Sequence, residues 1–359
     1  MKDEILKRNF NLIKRIIPNI DNKYIFERIK SIEWELSEKP YTCEVSVNSS
    51  CNNRCVFCYN HPSVLTQNNT PSLNKIYQIL YKGIKEKSWI ASIIGGEPTL
   101  RKDITEIALF ARKIGYKCVK ICTNGRKLSD KKYAKSLIKS GFNSFDISLH
   151  SINPKIHDDL VGIKGAWKET VKAMKTIKEL NSELATAQVL NSLNYKDFPQ
   201  FFDFAYNELK INYFNIIIGN YYGAMEINKT KLAANIVEVS KYVKKAMKIV
   251  EKSGFPLFTR ILINFPPCLF PEYLNIIADW EKDSPRQETV MLYDETRTTI
   301  AEINKNRSAK IDWLCPHCIL KDKCRGFNKE HTENIEKWSI EPVKKIPKFK
   351  IKTTFKYDI

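Results

Sequence analysis

Three cysteines, Cys51, Cys55 and Cys58, lie close together in the chain with the spacing C-x3-C-x2-C. Thiolates bind structural zinc and iron–sulfur clusters, and both kinds of site are normally completed by four protein ligands. Three thiolates from one loop would leave one metal position without a protein partner, and chemistry can take place at such an open position. The aromatic residue Phe57 directly precedes the last cysteine. The spacing therefore indicates a reactive metal centre, with a zinc knuckle or buried structural thiols as the alternatives.

A second motif, Gly95-Gly96-Glu97-Pro98, follows the apolar run of residues 89–94. The run predicts a short buried strand, and the paired glycines predict a tight turn at its end. Glycine lets backbone carbonyls approach a ligand closely, and Glu97 adds a negative charge. A Gly-Gly pair after a strand is a common turn, so this motif indicates a binding site only in combination with the cysteine spacing.

Together the two motifs resemble the signature of the radical S-adenosylmethionine (radical SAM) enzymes. The resemblance implies a [4Fe–4S] cluster on the three cysteines, whose open iron chelates the amine and carboxylate of the SAM methionine. In that family one electron from the reduced cluster cleaves the sulfonium, and the 5′-deoxyadenosyl radical then takes a hydrogen atom from the substrate. The family's GGEP motif binds the SAM amino group, which implies this role for residues 95–98. Phe57 is the remaining cofactor-binding candidate in the cysteine loop.

A second cysteine group lies near the C-terminus, where Cys315, Cys318 and Cys324 have the spacing C-x2-C-x5-C. This spacing resembles the core of the SPASM and twitch domains, which carry auxiliary iron–sulfur clusters, and Cys268 is the candidate fourth ligand. A full SPASM domain usually adds a cysteine where this chain has Asn328, and no cysteine follows Cys324. We therefore predict one auxiliary [4Fe–4S] cluster in a twitch-like domain. A four-cysteine zinc ribbon is the alternative.

Two polar residues at later strand ends are candidates for the SAM pocket. Ser148 lies where many radical SAM enzymes place a serine near the SAM ribose. Asn191, just past the next strand, is a candidate partner of the ribose or of the methionine carboxylate. The alternatives are a buried strand serine and a turn asparagine. Many peptide-modifying members of the family carry an arginine shortly after that serine, and residues 157–162 contain none. The partner of the SAM carboxylate is therefore not identified.

The sequence gives less support for a chemical role of several other side chains. His150 and His157 are acid–base candidates by residue type alone, although a lone histidine is more often packed or exposed. Cys122 is predicted at a strand end at the barrel mouth, where a thiol could return a hydrogen atom to a substrate radical. Cys43 and Cys118 lie in apolar strands and are interpreted as small core residues.

The elements that must position these residues alternate between strand and helix, which implies parallel strands joined by right-handed crossovers. The family resemblance predicts the same α/β fold, a partial (β/α)6 TIM-type barrel with its site at the C-terminal ends of the strands. We predict a short helical N-terminal extension over 1–41, the barrel over 42–254 and a small auxiliary iron–sulfur domain over 255–359. The predicted strands are 42–47, 89–94, 117–122, 144–149, 184–190 and 213–218, and the predicted helices are 72–87, 104–114, 130–140, 165–180 and 198–209.

Bulk composition limits the cellular setting and the partners. The chain has 359 residues, no apolar run long enough to span a bilayer and no signal-peptide pattern at its first residues, which predicts a cytoplasmic protein without membrane contact. In that setting metal binding explains ten cysteines better than disulfides do. The net charge of +19 favours an acidic peptide or a nucleic acid, although a solvated lysine-rich surface explains it equally well. No nucleic-acid-binding module is recognisable.

Three functions compete. The leading hypothesis is a radical SAM maturase that forms a cross-link, a thioether or an epimerised residue in a peptide or protein. Its partners would be SAM, an acidic peptide and an electron donor such as flavodoxin or ferredoxin. The runner-up is a radical SAM enzyme for a small molecule or tRNA. The third is a non-catalytic iron–sulfur electron-transfer protein, and the SAM-binding motif argues against it.

Overall fold

The computed structural model describes most of the chain between residues 42 and 351. The predicted N-terminal extension, 1–41, lies outside the described residues, and so do residues 254–256 at the predicted domain boundary. None of the helices that it describes combines the length and the apolarity needed to cross a membrane. The described residues are 42–63, 70–86, 88–211, 213–253, 257, 261–278, 280–282, 289–291, 297–299, 307–333, 335–336 and 339–351.

Seven parallel strands form the centre of one sheet, and their spatial order is their order in the sequence. Helices connect successive strands, which is the arrangement of a (β/α) barrel that does not close. The predicted partial barrel is therefore confirmed, with one strand more than the six expected. The strands are β1 (Thr42–Ser46), β2 (Ile90–Ile94), β3 (Cys118–Thr123), β4 (Ser144–Ser148), β5 (Glu183–Leu190), β6 (Phe214–Ile218) and β7 (Leu262–Ile263).

Short strands beyond residue 254 extend this sheet at both ends. β7 pairs with β6, so the sheet continues into the region predicted as auxiliary. On the other side, β8 (Thr289–Met291) pairs in parallel with β1, and β9 (Arg297–Thr299) pairs antiparallel with β8. A separate antiparallel pair joins β10 (Ser308–Ala309) to β11 (Phe327–Asn328).

Ser72, Asp130 and Asn153 each cap the start of a described helix, where the side-chain oxygen accepts a hydrogen bond from a backbone N–H of the first turn. The sequence analysis did not predict the helix that Asn153 caps. A turn of π-helix over 204–208 continues the helix Phe198–Asp203. The helices are α1 (Leu73–Lys85), α2 (Ile104–Lys113), α3 (Lys131–Ser140), α4 (Pro154–Val161), α5 (Ala166–Glu179), α6 (Phe198–Asp203), α7 (Ala224–Ile227), α8 (Lys229–Leu232) and α9 (Ile236–Ser253).

The two faces of the sheet differ in polarity. Val45, Ile93 and Phe145 point to the helix-covered face and are fully buried in the apolar core. The alternate residues of the same strands line the concave face and are largely polar. Cys43 and Cys118 are buried, in agreement with the prediction that they are core residues.

Candidate active site at the carboxyl ends of the strands

The three N-terminal cysteines lie in the loop that directly follows β1. Burial raises the pKa of each thiol, to about 11 for Cys51, and the neighbouring thiolates raise that of Cys55 further. The backbone N–H of Asn53 donates to Sγ of Cys51 at 3.4 Å. Three neighbouring half-buried thiols with raised pKa values are costly to ionise unless a cation is present. The group therefore fits a positively charged metal centre.

The end of α4 holds one side of this cysteine loop. The backbone N–H of Arg54 donates to the carbonyl of Val161 at 2.8 Å, and that of Val56 donates to Leu160 at 3.0 Å. Gly162 ends the helix with a φ of +68°, and a Cβ there would lie 2.7 Å from the carbonyl oxygen of Arg54. Glycine adopts this left-handed conformation without steric cost, and the close approach to the carbonyl of Arg54 leaves no room for a side chain. The helix that the sequence analysis missed thus supports the metal loop.

The start of α7 holds the other side. The backbone N–H of Ala224 donates to the carbonyl of Cys58 at 2.9 Å. Gly223 has a φ of +58°, and a Cβ at this position would lie 2.4 Å from the carbonyl oxygen of Tyr59. The cysteine loop is therefore clamped between the end of α4 and the start of α7. Each of these segments lies more than a hundred residues further along the chain than the loop residues that it contacts.

The glycines of the second motif allow two backbones to touch. The N–H of Gly96 donates to the carbonyl of Asn48 at 2.7 Å, and that of Glu97 donates to Ser50 at 2.8 Å. A Cβ on Gly95 would lie 2.4 Å from Oδ1 of Asn48, and one on Gly96 would lie 2.3 Å from the carbonyl oxygen of Ser50. The motif and the beginning of the cysteine loop thus form one layer at the ends of β1 and β2.

The carboxylate of Glu97 is engaged inside the protein. It accepts hydrogen bonds from the hydroxyls of Thr99 and Thr123, both at 2.6 Å, and from the backbone N–H of Asn124 at 2.8 Å. Pro98 follows and opens a short 3-10 turn. This side chain therefore ties the end of β2 to the end of β3, a connection that the sequence analysis did not anticipate.

The turn after β3 contributes two residues that sequence reasoning missed. Nδ2 of Asn124 donates to Oδ1 of Asn52 at 2.7 Å. The guanidinium of Arg126 donates to the carbonyl of Asn52 at 2.8 Å and to Oδ1 of Asn53 at 3.2 Å, while its Nε pairs with Glu169 at 2.6 Å. The only sequence signal was the turn pattern of residues 123–125. These contacts fix the segment between the first two cysteines.

The two candidate residues for the SAM pocket, Ser148 and Asn191, differ in whether their side chains are already hydrogen-bonded within the protein. Ser148 is half-buried at the carboxyl end of β4, and its hydroxyl makes no hydrogen bond to another described residue. The side chain of Asn191 is buried, donates to the carbonyl of Val189 at 3.3 Å and accepts from the N–H of Leu193 at 3.0 Å. Asn191 therefore stabilises a turn, whereas Ser148 has a hydroxyl to offer.

His150 and His157 form a buried pair beside the cysteine loop. The backbone N–H of His150 donates to Nδ1 of His157 at 3.1 Å, and Nδ1 of His150 accepts from the N–H of Val189 at 3.3 Å. Burial lowers the pKa of His150 well below its usual value and that of His157 to about 4. The ring of Phe57 meets that of His150 edge-on, with centroids 4.4 Å apart. Both histidines are neutral near pH 7, and His150 packs against Phe57.

A chain of polar contacts crosses the concave face below this layer. The hydroxyl of Ser92 donates to Glu44 at 3.4 Å and lies 3.8 Å from Sγ of Cys122. Sγ of Cys122 lies 4.0 Å from Oδ2 of Asp146, which also accepts from Nδ2 of Asn215 at 2.6 Å. Cys122 thus lies one residue before the end of β3 among polar neighbours on four strands.

Charge in this concave layer is set by burial and by one lysine. Burial raises the pKa of Cys122 to about 12 and also raises that of Asp146, while the ammonium of Lys120 lowers both. Burial lowers the pKa of Lys120, but its acidic neighbours, Cys122 first, raise it well above its ordinary value overall. Oδ1 of Asp146 is buried and has no partner among the described residues. The layer therefore combines the neutral thiol of Cys122, the ammonium of Lys120 and the Oδ1 of Asp146, which can still accept a hydrogen bond.

The C-terminal cysteines are brought together by the fold. Burial is the main cause of the raised pKa of Cys268, and the charges of the other three thiolates raise this pKa further. Backbone N–H groups donate to two of the sulfurs, from Ile311 to Cys315 at 3.3 Å and from Gly326 to Cys324 at 3.2 Å. The residues lining one common cavity include Cys268, Cys315, Cys318 and Cys324.

The position at which a SPASM domain would carry another cysteine has a structural role in this chain. Oδ1 of the buried Asn328 accepts from the guanidinium of Arg325 at 2.7 Å, and its Nδ2 donates to Asn220 at 2.7 Å. The ring of His331 packs against that of Tyr221, with centroids 5.4 Å apart. The loop after β6 therefore contacts both the segment of the C-terminal cysteines and the N-terminal cysteine loop.

Residues 45–205 match the Radical SAM superfamily. This range contains the cysteine loop, the GGEP turn and strands β2–β5. Residues 45–205 are a radical SAM domain. For this domain the superfamily implies a [4Fe–4S] cluster and SAM as cofactors.

Two curated relatives act on small molecules by name. The Fe-coproporphyrin III synthase of Methanosarcina barkeri is 28% identical over 208 residues, which cover 57% of this chain and 51% of the relative. A probable GTP 3′,8-cyclase of Thermococcus kodakarensis is 27% identical over 161 residues, which cover 45% of this chain and 52% of the relative. The chain thus spans about half the length of these curated relatives.

Among solved structures, the fold is similar to that of native anSMEcpe with bound AdoMet and the Kp18Cys peptide. The TM-score is 0.59, and the similarity covers 84% of this chain and 92% of that chain. The sequence identity is 16%, so the similarity concerns the fold.

Proposed function

We propose that this radical SAM enzyme is a maturase that modifies a peptide or protein, by a cross-link, a thioether or an epimerisation. The observation that carries the proposal is the second thiol group, which lines one cavity in a chain that already has the three-cysteine loop. The fold of anSMEcpe, which was solved with a bound peptide, supports this choice of substrate. The net charge of +19 suits an acidic peptide.

In this proposal Cys51, Cys55 and Cys58 hold the [4Fe–4S] cluster, and the GGEP turn and Ser148 contact SAM. When bound and reduced, the cluster would supply the single electron for the reductive cleavage of SAM that starts hydrogen abstraction from the substrate. The protein's own contribution is to hold the cysteine loop between the end of α4 and the start of α7. Asn191 would have to break its turn hydrogen bonds to reach SAM, so its proposed part is to shape the pocket.

We propose that the C-terminal thiols hold one auxiliary [4Fe–4S] cluster within the region 255–359. The four thiols line one cavity in a chain whose radical SAM domain already implies iron–sulfur chemistry, and this context supports the cluster over the zinc ribbon.

A small-molecule substrate is the second candidate. The names of the two curated relatives favour it, since one is a porphyrin synthase and the other a nucleotide cyclase. The concave layer offers a small polar substrate an ammonium on Lys120 and an open acceptor on Asp146. No described feature favours tRNA over these two classes.

Metal content tests the cofactor assignment. We expect anaerobic iron and sulfide analysis, with EPR, to give about eight irons in the reconstituted wild type and about four in the Cys51/Cys55/Cys58→Ala triple variant. If the iron content falls from about four in the wild type to none in the triple variant, and zinc is present, the C-terminal thiols hold zinc and not an auxiliary cluster. Absence of 5′-deoxyadenosine after reduction with dithionite in the presence of SAM would refute the radical SAM activity itself.

Substrate class needs a separate test. The reduced enzyme is incubated with SAM and with short acidic peptides encoded beside its gene, and mass spectrometry follows the peptide. A mass change that depends on SAM, or deuterium transfer from labelled peptide into 5′-deoxyadenosine, would support the maturase. Turnover of GTP or a porphyrin instead, with the peptides unchanged, would favour the second candidate.

A further inference from the structure

The concave face of the sheet is accessible to solvent, in contrast to the core face of the same strands. Val119 and Ile121 of β3 are fully buried in the core. Lys120 and Cys122, which alternate with them along the strand, are partly exposed, and so is Asn215 on β6. Solvent therefore reaches the concave side of these strands near their carboxyl ends.

Two charged groups on this face lack a hydrogen-bond partner among the described residues. Asp146 is only 3% exposed, and its Oδ1 is buried without a partner. Its Oδ2 accepts from Nδ2 of Asn215 at 2.6 Å, which holds the carboxylate in place. The ammonium of Lys120, on the neighbouring strand, makes no hydrogen bond or ion pair to another described residue. Buried polar groups are normally paired, so a donor and an acceptor left unpaired side by side indicate a ligand.

These two groups restrict the chemistry of the ligand. A carboxylate would accept from the ammonium of Lys120 but would not donate to Asp146, and an ammonium would do the reverse. A neutral amide satisfies both groups, because its carbonyl accepts from the ammonium and its N–H donates to the carboxylate. An amide also loses less hydration than a charged group when it enters a partly buried layer.

We propose that Lys120 and Asp146 form a subsite that binds an amide group of the substrate, with the ammonium on its carbonyl oxygen and Oδ1 on its N–H. The inference rests on the proposed function, because it names the part of the peptide that enters the barrel. The amide is assigned to a peptide group and not to the base of a nucleotide, which also carries a carbonyl and an N–H.

Cys122 provides a chemical reporter for this subsite. Its Sγ lies 4.0 Å from Oδ2 of Asp146, whereas Cys43 and Cys118 are buried and the other seven cysteines are the proposed cluster ligands. Iodoacetamide is an amide that alkylates thiols: Sγ attacks its methylene carbon, the C–S bond forms, iodide leaves and the thiol proton goes to the buffer. N,N-dimethyl-iodoacetamide is the matched reagent, because it keeps the carbonyl and lacks the N–H.

The test measures how fast each reagent labels Cys122 in the reconstituted holoenzyme, with peptide mapping by mass spectrometry to locate the label. Dividing each rate by the rate with glutathione removes the intrinsic reactivity of the reagent. We expect wild-type Cys122 to prefer iodoacetamide about tenfold, or ~1.4 kcal/mol. Excess N-acetylglycinamide, which supplies a peptide group without a leaving group, should slow this labelling.

Two substitutions remove the two hydrogen bonds separately. In Asp146→Asn the donor of Asn215 retains the side-chain oxygen, so an NH₂ group takes the position of Oδ1. That position then donates at unchanged volume, and the preference for iodoacetamide should disappear. Lys120→Met removes the ammonium from a side chain of similar length, and protection by N-acetylglycinamide should weaken about tenfold. Ser92→Ala is the matched control, because it removes a hydroxyl 3.8 Å from Sγ of Cys122 and should change neither result.

Other outcomes overturn the inference. Equal normalised rates of the two reagents in the wild type, or no labelling of Cys122 by either, would exclude an amide subsite beside this thiol. Protection by GTP without protection by N-acetylglycinamide would overturn the assignment to a peptide group. Lys120→Arg keeps the donors and should restore the protection lost in Lys120→Met; if it does not, the lysine only fills space. None of these measurements uses SAM cleavage, so absence of 5′-deoxyadenosine in the wild type would refute the proposed function alone.

Discussion

Replacing Gly223 by alanine tests whether the contact between α7 and the cysteine loop supports the metal site. Its backbone angles, φ 58° and ψ −127°, are those of a conformation that costs other residues about 1–3 kcal/mol. A Cβ there would lie 2.4 Å from the carbonyl oxygen of Tyr59 and 2.5 Å from the carbonyl carbon of Asn60. Both are backbone atoms and cannot rotate away, so the loop must move and strain the hydrogen bond from Ala224 to Cys58, at about 1 kcal/mol. We expect a loss of about 3 kcal/mol in the free energy of unfolding.

Gly165→Ala is the matched control. Gly165 also has a positive φ, +84°, but a Cβ there would meet nothing within 4 Å. Its replacement should cost only the backbone strain, about 1–2 kcal/mol, without moving the cysteine loop. The assays are urea unfolding of the metal-free protein and iron content after reconstitution. We expect Gly223→Ala to lose about half of the bound iron and Gly165→Ala to lose none. Equal stability losses and full iron in both variants would refute the reasoning.

Three further substitutions have defined outcomes. Glu97→Gln should cost about 2 kcal/mol in a denaturant titration, because several buried donors lose a charged acceptor, and a loss below about 0.5 kcal/mol would contradict that role. Buried His157 has a pKa of about 4 against 6.5 when exposed, so the folded state resists the protonation that the unfolded state accepts. Stability should fall by up to about 3 kcal/mol as the pH drops from 6.5 to 4, and His157→Gln should flatten this profile in pH-dependent unfolding. Arg126→Gln should lower iron retention, whereas Lys131→Gln, which breaks an exposed ion pair, should not; equal retention would argue against Arg126 as a support of the loop.

The long elements of the barrel follow from local sequence signals. The helix predicted over 130–140 is observed as Lys131–Ser140, because Asp130 caps its start and Gly141 ends it with a φ of +118°. Strands β1 to β6 were predicted to within one residue at each end, since strongly apolar runs bounded by turn residues leave little choice. Cysteine spacing singled out Cys315, Cys318 and Cys324, which line one cavity with Cys268, while the assignment of both cysteine groups as cluster ligands stays a prediction.

The missed features depend on contacts between distant parts of the chain. Strands β7, β8 and β9 have two or three residues each, too few for a periodic pattern, and form because a neighbouring strand offers a partner. The role of Glu97 depends on Thr123, and that of Arg126 on the cysteine loop. Nothing local distinguishes a carboxylate that binds a ligand from one that joins two strand ends. Only the order of the strands brings these partners together.

An incomplete barrel has two outer strands whose backbone groups a closed barrel would pair. At one end β8 covers β1 and is itself covered by the three-residue β9. At the other end β7 has two residues, and Leu262 bridges in parallel to Ile277. Such short outer strands offer few unpaired N–H and C=O groups for another chain to extend the sheet. The barrel can therefore stay open without its outer strands becoming a template for aggregation.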